Sequence, residues 1–239
     1  MTPTKHFLKR VFYIAQMYLG LFPNLYIPIY KIFGQNQRLL VNDCTEIVIE
    51  GFPRSGNTFS VAAFEWSQHR PINIAHHLHS ASQIIWAVKR NIPVVALIRE
   101  PKDAVISFII REPCLSAELA LRSYISFYTA ILPFKKKLLT ATFDELTNDF
   151  GAVIDRVNMR YKTDFNLFDH TSENVEQVFD LVQSYGISES SANKLDEEKV
   201  ARPSSVRNKM AAKYRADFDS GDYKKLLDDA EELYQCFVK

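Results

Sequence analysis

The chain has 239 residues, 47% of them hydrophobic, and its 29 Lys and Arg against 28 Asp and Glu leave a formal net charge of +1. That length and apolar content suffice for one well-filled core without disulfides or a structural metal, and the balanced charge excludes the global basic field that draws in nucleic acid. Cys44, Cys114 and Cys236 are an odd number at spacings that match no zinc or disulfide framework, so a reducing, cytoplasmic setting is expected.

In chain order, a basic cluster of Lys5, His6, Lys9 and Arg10 leads into Val11 to Tyr30, where Gln16 and Asn24 are the only strongly polar side chains. Pro23 and Pro28 divide this run into a helical piece of about a dozen residues and an extended piece. Both are shorter than the ~20 residues a bilayer requires, and no small-residue cleavage site marks a signal peptide. The expected division is therefore an apolar arm over 1–42 and a domain over 43–239. Three placements of the arm stay open: packed on the domain, peripheral at a membrane in the headgroup layer, or a signal anchor.

From Cys44 onward strand-like and helix-like segments alternate, which predicts an α/β fold: three layers, α/β/α, around a central parallel sheet. Thr45 to Glu50 is a β-rich run ending at Gly51, and Thr58 to Gln68 reads as a helix. Ile72 to His77 is a second strand and Ser80 to Arg90 a second helix. Val94 to Ile98 is a continuous apolar run suited to a strand buried on both faces, and Pro101 opens a helix that reaches Arg111. Ser116 to Leu132 is a long helix stopped near Pro133, Leu138 to Phe143 a fourth strand, and Asp144 to Tyr161 one further helix. Beyond Lys162 the chain is more polar, with a helix over Asn174 to Tyr185 and a Ser/Glu/Asn-rich loop, expected to be mobile, at Ser188 to Asn193. Tyr223, Leu226, Leu227, Ala230, Leu233, Tyr234 and Phe237 recur at helical steps, so the tail is an amphipathic helix docked on the body.

The segment Gly51-Phe52-Pro53-Arg54-Ser55-Gly56-Asn57-Thr58 lies between a predicted strand and a predicted helix. Glycines let successive amides turn inward, and the helix behind them offers its positive end to an anion, so this is a nucleotide-binding, P-loop-like turn. Gly51, Gly56 and Thr58 keep the spacing of GxxxxGK[ST], but Asn57 stands where the triphosphate-gripping lysine belongs. Arg54 supplies a cation to a shorter 5' anion instead.

GFPRSGNTF resembles the 5'-phosphosulfate loop of sulfotransferases that use 3'-phosphoadenosine 5'-phosphosulfate (PAPS), and IREPKDAVISF resembles their 3'-phosphate motif. The likeness runs from about Glu46 to Tyr161 and includes TFDELTNDFGAVIDRV. It implies that Arg54, Ser55, Gly56, Asn57 and Thr58 hold the 5' end, with Arg54 stabilising charge on the departing phosphate. Arg99, at a strand end, and Ser107, eight residues later, would grip the 3'-phosphate. Phe59 would contact adenine or else fill the core. Arg207, with Arg202 second, would correspond to the late basic loop over the 3'-phosphate, although the family's glycine-rich version of that loop is absent.

Transfer of a sulfuryl group requires a base for the acceptor's proton, and histidine titrates in the useful range. Strand alternation places His77 and His79 on one face and His76 on the other, with Ile74 and Leu78. The resemblance maps the family's catalytic His-Leu pair onto His77-Leu78, with His79 as second candidate; the interval from the loop is shorter than in cytosolic members, and some relatives use a glutamate. The resemblance implies PAPS as donor co-substrate, 3',5'-ADP as product, no metal, and a hydroxyl or amine acceptor on a glycan, lipid or small molecule. The segments from Glu112 to Ala120 and Lys162 to Asn208 would shape the acceptor pocket. Two alternatives are a P-loop small-molecule kinase, with Asp144 as a magnesium carboxylate, and a catalytically inactive nucleotide-binding protein associated with a membrane.

Overall fold

The computed structural model describes residues 3–189, 205–219 and 221–239, with side chains described over 7–183, 209–218 and 221–239. Two helices come first, α1 (Pro3–Leu19) and α2 (Pro23–Phe33). Pro23 opens α2 at a position whose amide has no helical partner. Pro28 lies inside α2, so the expected extended piece is helical. Its missing donor forfeits one helical bond, to the Asn24 carbonyl, and packing offsets the loss: Tyr26 and Ile27 are buried against the body and Tyr26 stacks on Tyr30 at 5.7 Å.

The alternating elements follow as β1 (Ile47–Gly51), α3 (Asn57–Ser67), β2 (Ile74–His76), α4 (Ala81–Val88), β3 (Val94–Ile98), α5 (Pro101–Arg111) and α6 (Ala117–Ile131). After a 3-10 turn come β4 (Leu139–Thr142), α7 (Phe143–Asn148) and α8 (Phe150–Tyr161), then α9 (Ser172–Glu189), α10 (Ser205–Asp219) and α11 (Lys224–Val238). Where one helix is expected over 144–161 there are two. The Asp149 side chain accepts from the Ala152 amide at 3.0 Å and starts a new helix. Most of the expected mobile loop lies outside the described residues.

The four strands are all parallel in the order β2-β1-β3-β4, a three-layer α/β/α arrangement. Strand alternation sorts their side chains. Val48, Val94, Ala96 and Ile98 join a core with α4, α5, α6 and α11, whereas Ile47, Ile49, Val95, Leu97 and Ala141 join one with α3, α8 and α9. The chain moves outward from β1 to β2 and then crosses back to β3. The strand order therefore switches between β1 and β3, and in open α/β sheets the crevice at that switch, beyond the carboxyl ends, is where ligands bind. The 52–56 loop and Arg99 emerge there. The arm is tied to this body: Ser82 Oγ donates to the Gly20 carbonyl at 2.8 Å, and the Val41 amide to Gln83 Oε1 at 2.7 Å.

Candidate active site

Gly51 ends β1 where a Cβ would stand 2.4 Å from the Leu97 carbonyl oxygen, so only glycine lets β1 and β3 lie this close at the switch point. The loop then turns through left-handed conformations at Arg54 (φ 70°) and Gly56 (φ 92°). Gly56 is the N-cap of α3 and contributes no side-chain cap, which leaves the first-turn amides of Asn57 and Thr58 open to an anion. The Ser55 amide is engaged within the turn, donating to the Phe52 carbonyl at 3.2 Å, and the buried Ser55 hydroxyl lies 3.5 Å from the Tyr128 hydroxyl. Ser55 thus shapes the loop, and the amides left open begin after it. Asn57 Nδ2 donates to the Phe52 carbonyl at 3.1 Å, and buried Asn57 Oδ1 has no hydrogen-bond partner among the described residues. The side chain standing where a triphosphatase has its lysine therefore turns inward and braces the loop.

A methyl group on Gly56 would meet Leu146 Cδ1 at 2.8 Å and would also have to adopt the left-handed conformation. Gly56→Ala is expected to destabilise the fold by roughly 1–3 kcal/mol, which urea melts check.

The second motif meets the first. Arg99 follows β3, and its Nη1 donates to the Arg54 carbonyl at 3.2 Å while its guanidinium lies over the Phe143 ring at 4.1 Å. Ser107, two turns into α5, accepts from Arg54 Nε at 3.1 Å. Two buried tyrosines one turn apart on α6 fix the end of β3: Tyr124 donates to the Arg99 carbonyl at 2.8 Å and Tyr128 to that of Leu97 at 2.7 Å. Glu100 caps α5 by accepting from the Lys102 and Asp103 amides. Arg54, Arg99 and Ser107, drawn from separate segments, form one half-buried cationic cluster beside the loop.

The histidines depart from strand alternation because β2 ends at His76 and both His77 (φ 58°) and His79 (φ 49°) are left-handed. All three consequently turn toward each other. His77 Nε2 lies 3.1 Å from Thr58 Oγ1, His76 Nδ1 lies 2.5 Å from His77 Nδ1, and His79 Nδ1 donates to the Gly51 carbonyl at 2.9 Å. The expectation that His76 faces away is therefore corrected. Desolvation pulls His76 and His79 down to about 4 and drives His77 well below the usual histidine value, with neighbouring His76, His79 and Arg111 adding to the effect at His77. After desolvation, Arg111 and Arg54 also disfavour a proton on His79.

Sequence reasoning also missed Glu50. It is the one acid in a strand buried at every position, and it is itself fully buried. Its Oε2 accepts from the Leu78 amide at 3.0 Å and from Gln83 Nε2 at 2.9 Å, and its Oε1 lies 3.5 Å from His79 Nδ1. Desolvation pushes this carboxyl up to about 7. An acid in an otherwise apolar strand next to the loop was the available signal.

Phe59 is buried among Phe150, Phe168, His170 and Phe179, so the core alternative describes it rather than adenine contact. Arg202 lies outside the described residues. Arg207 falls in the first turn of α10, with its side chain outside them. Asp144 is exposed in the first turn of α7.

The fold and this loop define an open parallel α/β protein with a glycine-turned strand-to-helix loop at its switch point. No protein-family model matches the chain, and no curated protein matches it. Among solved structures it is similar to mouse sulfotransferase SULT7A1 complexed with PAP, with a TM-score of 0.41 and 14% identity over 84% of this chain and 94% of that one.

Proposed function

We propose that the protein is a PAPS-dependent sulfotransferase acting on a hydroxyl or amine acceptor. The carrying observation is the convergence of the uncapped Gly56 turn, the Arg54–Ser107–Arg99 cluster and the His77–Thr58 pair, all linked by contacts of 3.1–3.2 Å. The residues fit a doubly phosphorylated nucleotide: the amides of Asn57 and Thr58 suit the 5' end, and the Arg99 fork with Ser107 suits a 3' dianion. Bound there, PAPS would supply the sulfuryl group and 3',5'-ADP would be the leaving product.

The chain's own part is positioning, electrostatics and one proton. Arg54, fixed by Ser107, places a permanent cation beside the loop where negative charge grows on the departing phosphate. His77 takes the acceptor's proton at Nε2. That requires the tautomer in which His77 Nδ1–H donates to His76 Nδ1, so that the Nε2 lone pair accepts from Thr58 until an acceptor replaces it. His76 is thus a positioning residue that selects this tautomer. The first turn of α3 and the Phe52–Pro53 segment, both largely buried, restrict water around the loop.

The direct test is incubation of the protein and a cell extract with sulfur-labelled PAPS, with and without a metal chelator. A labelled acceptor that forms equally in both supports the reading; label transfer from ATP but not from PAPS would overturn it. Arg99→Met is expected to raise the Kd for 3',5'-ADP by about 10- to 100-fold, the worth of charge-assisted bonds to a phosphate. Calorimetry with 5'-AMP should show less than about a threefold change, because that nucleotide lacks the group Arg99 reads.

A further inference from the structure

We infer that α1 and α2 dock the protein on the surface of an anionic phospholipid bilayer. This goes beyond sulfuryl transfer and stands independently of it.

Both helices are fixed to the body by one side and leave an apolar side uncovered. On α1, Tyr13 bonds Ser123 at 2.7 Å, Lys9 pairs with Glu112 and Gln16 donates to the Leu78 carbonyl. The residues turned away are Phe7, Leu8, Val11, Phe12 and Tyr18, one contiguous stripe at helical spacing, with Phe12 70% exposed. On α2, Tyr26 and Ile27 are buried, while Leu25, Ile29, Ile32 and Phe33 form the opposite stripe, with Ile32 71% and Phe33 78% exposed. An apolar surface of this extent marks a docking site.

Charge identifies the occupant. Residues 1–42 contain Lys5, Lys9, Arg10, Lys31 and Arg38 and not one Asp or Glu. An apolar stripe on a segment that carries cations and no acid of its own is the pattern that sits in an anionic interface. At 17 residues α1 is too short to span, and no helix among the described residues is long and apolar enough to cross a membrane. The arm therefore lies in the interface plane.

The test is sedimentation of the full chain with vesicles of phosphatidylcholine alone or containing roughly 30% phosphatidylserine. Partitioning is expected to rise by about tenfold or more with the anionic lipid and to fall as NaCl increases from about 0.1 to 0.5 M. The double variant Phe12→Glu/Ile32→Glu alters only exposed positions, so its melting curve should match the parent while its vesicle binding is lost. Arg10→Glu/Lys31→Glu should lose the preference for the anionic lipid. Absent binding, unchanged binding of the first variant, or equal binding to both vesicles overturns the inference. Concentration-dependent dimerisation without vesicle binding, abolished by the first variant, would assign the face to a second copy and overturn it as well.

Discussion

Replacing His77 with alanine is expected to lower kcat by about 10²- to 10⁴-fold, the usual worth of a general base, while the Kd for 3',5'-ADP stays within about threefold. The split follows from geometry: among the described residues His77 meets the loop through the Thr58 hydroxyl, whereas the proposed anion contacts are amides and guanidinium groups. The pH dependence has a definite sign. Desolvation first, then His76, His79 and Arg111, hold the His77 pKa well below 6.5, so the ring is neutral and able to accept a proton through the whole neutral range. The acid limb of kcat/KM, which reports the free enzyme, should therefore fall below pH 6.5. His79→Ala provides the contrast, since its Nδ1 is occupied by the Gly51 carbonyl. A larger loss of kcat in His79→Ala than in His77→Ala would move the base to His79.

The same three depressed histidines make the fold sensitive to acid. A folded pKa below the unfolded value means that the unfolded chain binds protons more readily. Their stabilising contribution is present above about 6.5 and declines as pH drops through the depressed folded values, near 4 for His76 and His79. In a Glu50→Gln background, where the oppositely signed titration of the buried Glu50 carboxyl is absent, urea midpoints measured from pH 7 to pH 4 should fall accordingly, and an acid-insensitive midpoint there would contradict the desolvated cluster.

What could be read from the sequence is what local chemistry alone decides. Val94 to Ile98 is apolar at every position and is followed by Pro101, so β3 and α5 appear with the bounds expected. The loop from Gly51 to Thr58 was legible because glycine spacing between a strand and a helix encodes a backbone turn, whereas Arg99 and Ser107 were singled out by their resemblance to a 3'-phosphate motif. Features decided by tertiary contact were not legible. Pro28 stays helical because Tyr26 and Ile27 are buried, and the break between α7 and α8 depends on Asp149 turning to cap its own chain. The histidine segment misled because alternation assumes extended backbone, whereas His77 and His79 are left-handed on either side of buried Leu78. Glu50 was passed over because a strand acid normally faces water, and only the three-dimensional packing shows Gln83 of α4 covering it.

Glu50 carries the second large effect. Glu50→Ala leaves the buried Leu78 amide and Gln83 Nε2 without their acceptor, at a cost of about 1–3 kcal/mol for each orphaned donor. Stability by urea denaturation should therefore fall by roughly 2–6 kcal/mol. Because the Leu78 amide is the anchor between two left-handed histidines, kcat should fall too. Glu50→Gln keeps an acceptor and so separates hydrogen bonding from charge. In the parent the folded carboxyl titrates near 7, raised from 4.5 by desolvation against the opposing bonds from Gln83, Leu78 and Gly51. A raised folded pKa means that the native state binds this proton more tightly, so the stabilisation is full below about pH 4.5 and is lost as pH rises through 7. Glutamine does not titrate. Between pH 5 and pH 8 the parent should lose stability relative to Glu50→Gln by roughly 3 kcal/mol. The histidine contributions are common to both proteins and cancel in the difference, provided His79 keeps its bond to Gly51. A pH-independent gap between the two would mean that water reaches the carboxyl, and that Glu50 holds the histidine turn as an ordinary charged acceptor rather than as a buried acid poised near neutrality.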